Sequence, residues 1–327
     1  MRAMVLNGPG QPLSELRREI PTPGDHQILV RVLACAVCRT DLHVQDNELP
    51  EIHYPVIPGH QAVGEVVATG PDATFANGAR VGVAWLAGTC GRCEFCRSDR
   101  ENLCESARFH GYHVDGGFAE FILADSRFCF PLDNTQAPSA QTPLLCGGLI
   151  GYRTLRLAGD AGSVGIYGFG SAAHMVTQVA RHQQRRVFAF TSPGDDAAQS
   201  FAMQLGAEWA GGSDEEAPEP LDAALIFAPV GALVPKALRD LKKGGTVVCG
   251  GIHMSDIPSF PYADLWEERQ IRSVANLTRT DGHEFLRLAG EIPVQARITT
   301  YPLAEANRAL DDLRHGAVNG TAVLIMD

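Results

Sequence analysis

The sequence predicts a two-domain α/β protein, a barrel-like all-β portion followed by a doubly wound parallel sheet. Three observations carry that expectation. At 327 residues the chain is too long for one hydrophobic core. Up to about residue 145, β-type runs such as QILVRVLAC, QAVGEVVATG, ARVGVAWLAG and GFAEFILA alternate with Gly and Pro turn signals, as in a barrel. From Ser163 onward, short apolar runs alternate instead with helical periodicity, the pattern of a parallel sheet with crossover helices.

The elements follow in order. VGIY precedes SAAHMVTQVARH, where Ala172, Val176, Val179 and Ala180 share a helical face. RVFAF precedes DDAAQSFAMQLG, with Ala198, Phe201, Ala202 and Leu205 on one side. AALIFAP leads into a helix over ALVPKALRDLKKGG, TVVCGGI into one over YADLWEERQ, and IRSVANL into one over TDGHEFLRLAG. The strand QARITTYPL, helix AEANRALDDLRHG and strand GTAVLIMD then return to the first domain.

Composition sets bounds. A hydrophobic content of 45% and a charged content of 20% suit a globular chain with a sizeable core. A net charge of −11 argues against nucleic acid and anionic membranes as partners, because phosphate binding needs clustered Lys and Arg. No run approaches the ~18 apolar residues of a membrane-spanning helix. The start MRAMVLNGPG lacks an apolar signal-peptide core, so the expected location is the cytoplasm. There the nine cysteines stay reduced, which favours metal binding or catalysis over disulfides.

Cys90, Cys93, Cys96 and Cys104 in GTCGRCEFCRSDRENLC have the spacing C-x2-C-x2-C-x7-C. Four thiolates in so short a loop can enclose one tetrahedral Zn²⁺ and leave no position for substrate, which marks a structural site. The spacing fits iron–sulfur patterns poorly, and a nucleic-acid zinc ribbon would need a basic patch that is missing. A second donor set is scattered: Cys38 in ACAVCRTDLHV, His60 in IPGHQAVGEVVATG and Cys146 in PLLCGGLIGYRTL. Taken singly, each is more often a packed residue; together they make a Cys₂His set that leaves a fourth zinc position open.

Gly168, Gly170, Ser171, Ala172 and Ala173 fall in a G-x-G-x-x-A pattern between the strand VGIY and a helix, the context of a dinucleotide fingerprint. Gly168 permits the tight turn, Gly170 lets the backbone approach a pyrophosphate, and Ala173 allows close helix–strand packing. About 20 residues on, where an acidic residue would hold the ribose, stand Thr191 and Ser192. Neither the argument for NAD nor that for NADP is complete, and both cofactors stay open.

The segments CRTDLHV, PGH, the four-cysteine loop, LLCGG and YGFGSAAH occur in the order seen in zinc-dependent alcohol dehydrogenases of the medium-chain dehydrogenase/reductase superfamily, which this chain resembles over nearly its whole length. The resemblance implies a GroES-like catalytic domain over 1–146 and 289–327 and a Rossmann dinucleotide-binding domain over 147–288. It implies two Zn²⁺ per chain, one catalytic on Cys38, His60 and Cys146 (Cys35 not being a ligand) and one structural on the four-cysteine loop, with NAD or NADP as hydride carrier. Asp41 would orient His60, Thr40 and His43 would be the ends of a proton relay, and Leu49 and Trp85 would line the substrate pocket. The family usually has Glu after the ligand His, where this chain has Gln61. The implied reaction is reversible hydride transfer between a primary or secondary alcohol and its aldehyde or ketone, by a homodimer or homotetramer. Rival readings are a zinc-free quinone or enone reductase, an NADPH-dependent aldehyde reductase, and a cofactor-binding protein that has lost catalysis.

Overall fold

A computed structural model of the chain describes residues 1–292, 294–318 and 320–326. Pro293, Asn319 and Asp327, all within the expected returning segment 289–327, lie outside the described residues, and Asp327 was to end the strand GTAVLIMD. The chain forms two compact units. The first comprises Met1–Cys146, Leu277–Leu286 and Gln295–Asp327, the second Gly147–Asn276 and Arg287–Val294.

The first unit is organised around the long strand Gln27–Val37. It pairs antiparallel with Ala62–Thr69, with Phe121–Asp125 and with Thr321–Ile325. Ala62–Thr69 passes the ladder to Arg80–Val83 and on to Cys129–Pro131, while Ile298–Pro302 runs parallel to Thr321–Ile325. Register shifts between Leu29 and Val30 and between Val32 and Ala34 bend the long strand. Its C-terminal half is then buried on both faces, which explains the near-continuous apolar run. Ile28, Val32, Val37, Ile57, Val83 and Phe118 meet in one core. Residues 277–286 join this unit through Arg279, whose guanidinium lies 5.1 Å over the Phe128 ring, and through His283 edge-on to Phe130 at 5.2 Å.

The second unit is a six-stranded parallel sheet. In spatial order its strands are Trp209–Gly212, Arg186–Thr191, Ser163–Tyr167, Leu221–Ile226, Leu241–Cys249 and Gln270–Ser273. Numbered along the unit this is 3-2-1-4-5-6, so the chain reverses direction across the sheet beside Ser163–Tyr167, where such folds bind ligands. Every residue of that strand is buried, as expected between two helical layers.

Two helices are shorter than their sequence pattern. The one expected over ALVPKALRDLKKGG is Leu233–Asp240, because Leu241 enters the sheet beside Leu221 and Gly244 turns to φ 72°. YADLWEERQ gives the single turn Tyr262–Leu265, since Glu267 and Glu268 both take positive φ. Among the described residues no helix is long and apolar enough to cross a membrane.

Candidate active site

The long strand of the first unit delivers Cys38 to the start of the helix Arg39–Gln45, and Cys38 caps that helix. Its Sγ accepts the Thr40 N–H at 3.4 Å, and Asp41 Oδ2 reaches back to accept the Cys38 N–H at 2.9 Å. The run C-R-T-D is therefore a capping box with sulfur in the place of a hydroxyl. His60 is positioned by Gly59, whose φ of 97° and contact with the Phe118 ring leave no room for a side chain. Asp41 Oδ1 accepts the Gly59 N–H at 3.1 Å and faces His60 Nδ1 at 3.2 Å. A carboxylate can only accept, so Nδ1 carries a proton. The other ring nitrogen, Nε2, lies 3.2 Å from Cys38 Sγ. One buried carboxylate thus fixes both Cys38 and His60.

Cys146 follows the turn Thr142–Leu145 and brings its Sγ to 4.0 Å from that of Cys38. The three donor atoms lie within 4.8 Å of one another. Their charges are strongly coupled. The hydrogen bond with Cys146, helped by His60 and Thr40, holds the Cys38 thiol well below its ordinary pKa against burial. The same bond and burial push Cys146 up. Burial works against a charged His60, yet the Cys38 thiolate and the Asp41 carboxylate hold it at about 10. Burial raises Asp41. A tetrahedral zinc with Zn–S bonds of about 2.3 Å separates its sulfur ligands by roughly 3.8 Å, so this spacing and donor set fit the ion. Cys35 is buried and stands outside the cluster, its Sγ 3.7 Å from the Ala36 carbonyl.

The second cluster gathers Cys90, Cys93, Cys96 and Cys104. Cys90 and Cys96 Sγ are 3.9 Å apart, Cys93 and Cys96 3.5 Å. Backbone N–H groups point at the sulfurs: Cys93 to Cys90 at 3.4 Å, Cys96 to Cys93 at 3.5 Å, and Cys90 to Cys104 at 3.5 Å. Hydrogen bonds from the Arg92 and Cys93 amides lower the Cys90 thiol to about 6. Burial raises Cys104 to about 11. This set also fits zinc.

In the second unit Gly168 follows the central strand with φ 90°, and its Cα faces Ala228 so closely that a Cβ would stand 2.6 Å from the Ala228 nitrogen. Gly170 is the N-cap of the helix Ser171–His182; a Cβ there would meet nothing, and a glycine brings no capping side chain of its own. Ser171 and Ala172 are partly exposed, while Ala173 is buried under the helix. A glycine cap, a positive dipole end and open space at Gly170 suit a dinucleotide pyrophosphate. Thr191 ends the adjacent strand but is buried. Its hydroxyl donates to the Ser192 and Gly211 carbonyls at 3.1 and 3.3 Å and accepts from Gln199 at 3.2 Å. Ser192 is exposed. Asp195 caps the next helix through Ala198 N–H at 3.0 Å.

Trp85 packs edge-on against His60, with ring centres 4.9 Å apart, and stacks on Phe109 and Tyr112 at 5.0 and 5.7 Å. Leu49 is partly buried against the same core. Thr40 and His43 stand one turn apart on the helix Arg39–Gln45, and His43 Nδ1 pairs with Glu48. The sequence reading missed Glu48, Phe109 and Tyr112. Glu48 at i+5 from His43 was a signal within reach, whereas nothing local announces an aromatic stack. Gln61 is buried, and its Nε2 has no hydrogen-bond partner among the described residues.

Fold and site together define a medium-chain dehydrogenase: a barrel-like unit carrying a Cys₂His cluster and a four-thiol loop, with a glycine turn opening a helix on a 3-2-1-4-5-6 parallel sheet. Residues 24–134 match the alcohol dehydrogenase GroES-like domain. A Mycobacterium tuberculosis protein described as a probable alcohol dehydrogenase is 42% identical over 100% of this chain and 97% of its own length. An alcohol dehydrogenase of Geobacillus stearothermophilus is 33% identical over the whole of both chains. Among solved structures, a cinnamyl alcohol dehydrogenase of Sorghum bicolor superposes with a TM-score of 0.89 at 25% identity, covering 99% of this chain and 97% of that one. The chain belongs to the zinc-dependent alcohol dehydrogenases of the medium-chain dehydrogenase/reductase superfamily, and is an oxidoreductase.

Proposed function

We propose that this enzyme interconverts a primary or secondary alcohol and its aldehyde or ketone, with Cys38, His60 and Cys146 holding a catalytic zinc and the four-cysteine loop a structural one. The convergence of three donor atoms within 4.8 Å, drawn from three separate segments, carries the reading. Zinc bound there supplies Lewis-acid polarisation of a substrate oxygen, and a nicotinamide cofactor supplies the hydride acceptor or donor.

The protein's own groups do the rest. Asp41 fixes the His60 tautomer and the Cys38 backbone in one gesture. Thr40 holds the substrate hydroxyl proton at Oγ1. His43, paired with Glu48 and partly exposed, exchanges a proton with solvent. Trp85 and Leu49 wall the space beside the metal and suit medium or aromatic alcohols. Gly168, Gly170, Ser171, Ala172 and Ala173 receive the NAD(P) pyrophosphate, and Thr191 and Ser192 stand by the ribose. On this reading residues 1–146 and 289–327 make up the catalytic domain and 147–288 the cofactor domain, although Leu277–Leu286 of the latter span packs with the first unit and 289–294 of the former with the second.

The chain assembles as a homodimer or homotetramer; support comes from Ile252, Ile257, Tyr262 and Trp266, exposed large hydrophobics on the segment that joins Leu241–Cys249 to the edge strand Gln270–Ser273. We place it in the cytoplasm, since thiol clusters of this kind need a reducing compartment. Initial rates followed by NAD(P)H absorbance across a panel of alcohols, aldehydes and ketones, with metal analysis of the same sample, test the proposal. Two zinc ions per chain and alcohol-dependent reduction of the cofactor are expected. A metal-free protein active only on enones or quinones overturns it.

A further inference from the structure

The binding of a dinucleotide at Gly168–Ala173 leaves open whether its adenosine ribose carries a 2′-phosphate. In a sheet of this order the ribose hydroxyls face the end of the second strand, where a carboxylate takes the 2′-OH or a cation takes the phosphate. That strand, Arg186–Thr191, ends on a threonine whose hydroxyl is already committed to Gly211 and Gln199. Discrimination must come from its surroundings.

Four carboxylates gather there from two turns. Asp195 and Asp196 open the following helix, and both are exposed. Asp214 and Glu215, also exposed, stand on the turn after the neighbouring strand, whose Gly212 is in register with Thr191. The two turns are fastened to each other. The Ser213 N–H donates to the Thr191 carbonyl at 2.8 Å, and a Cβ on Gly212 would stand 3.5 Å from Pro193 Cα. The second turn is closed by Glu215 Oε1, which accepts the Gly212 N–H at 2.6 Å. Between Arg186 and Lys236 the chain has no Lys or Arg. Arg186 itself sits at the far end of the strand, paired with Glu219.

We infer that this acidic rim, Asp195, Asp196, Asp214 and Glu215, makes the enzyme selective for NAD over NADP. A 2′-phosphate would bring nearly two more negative charges to a rim whose own two turns carry no Lys or Arg, whereas the neutral ribose diol can donate to carboxylates. The inference rests on Gly168–Ala173 being the dinucleotide turn. Because the four groups are exposed, their repulsion reaches over about 10 Å at 0.1 M salt and weakens as salt rises.

Titration calorimetry of the zinc-loaded enzyme with NAD and with NADP, at low and high salt, tests it. NADP is expected to bind on the order of tenfold or more weakly at low salt, with the ratio narrowing at high salt. Asp195→Ser with Asp214→Asn should narrow the ratio at low salt, raising NADP affinity more than any loss of NAD affinity, with the fold kept because Ser preserves the helix cap. Ser192→Arg should narrow it further. Equal affinity for both cofactors in the unaltered enzyme, or a ratio that neither salt nor charge removal moves, overturns the inference. Failure of both dinucleotides to bind would overturn the dinucleotide-turn reading, and the inference with it.

Discussion

The two cysteine clusters of the first unit are built in opposite ways. The loop Cys90–Cys104 draws its donors from positions at most fourteen apart and points backbone N–H groups at its sulfurs. The Cys38 cluster draws donors 22 and 108 positions apart and steadies them with one buried carboxylate. A short loop closes at small entropic cost, so four thiolates can be gathered locally and saturated by one ion. The scattered cluster exists only once the sheet has formed around it, and its three donors leave a coordination position over. On the proposed reading, local and closed serves stability, and distant and open serves chemistry.

That contrast can be broken most sharply at Cys38. Cys38→Ser removes a thiolate from the open cluster, and turnover should fall on the order of a thousandfold or more, as expected when the group polarising the substrate oxygen is lost. Metal analysis should show one zinc gone and one kept, with little change in Tm. Retained activity at full metal content would dissolve the distinction between the clusters. The complementary change, Cys96→Ser, should act on the other axis. We expect a Tm lower by roughly 5–10 °C, equivalent to a few kcal/mol for a chain of this size, with kcat of the surviving folded enzyme within a few-fold of the parent. A loss of kcat without a loss of Tm would reverse the assignment of roles.

The same contrast explains what the sequence made legible. The four-cysteine loop was readable because its geometry is its spacing, and the glycine turn at Gly168–Gly170 because strand, glycines and helix are contiguous. For the open cluster, spacing says nothing: only the order of motifs shared with a family pointed to Cys38, His60 and Cys146. Asp41 shows why. Its grip on His60 spans 19 positions and depends on the Gly59 turn, while its bond to the Cys38 N–H follows from the local C-R-T-D run. The two shortened helices were misjudged because apolar periodicity cannot register that Leu241 is claimed by the sheet or that Glu267 and Glu268 adopt positive φ. Of the acidic rim, Asp195 and Asp196 follow Thr191 closely in the sequence, whereas Asp214 and Glu215 are brought to that strand end only by the pairing of Gly212 with Thr191.

The mildest test concerns how the closed loop is moored. Glu101, buried inside the loop, accepts the Arg279 N–H at 2.9 Å and its Nε at 3.1 Å. Burial alone would raise this carboxyl, yet the Arg279 amide and guanidinium outweigh it and hold the group below its ordinary range. A carboxylate whose folded pKa is depressed adds stability that is present above its unfolded value of about 4.3 and is lost as pH falls through the folded one. Glu101→Gln keeps the shape but not the charge, so it should cost about 1–2 kcal/mol at neutral pH. It should also flatten the fall of Tm on acidification below pH ~5. If parent and variant lose Tm in parallel across that acid range, Glu101 does not moor the loop through its charge, and the loop's order must come from its thiols and their ion alone.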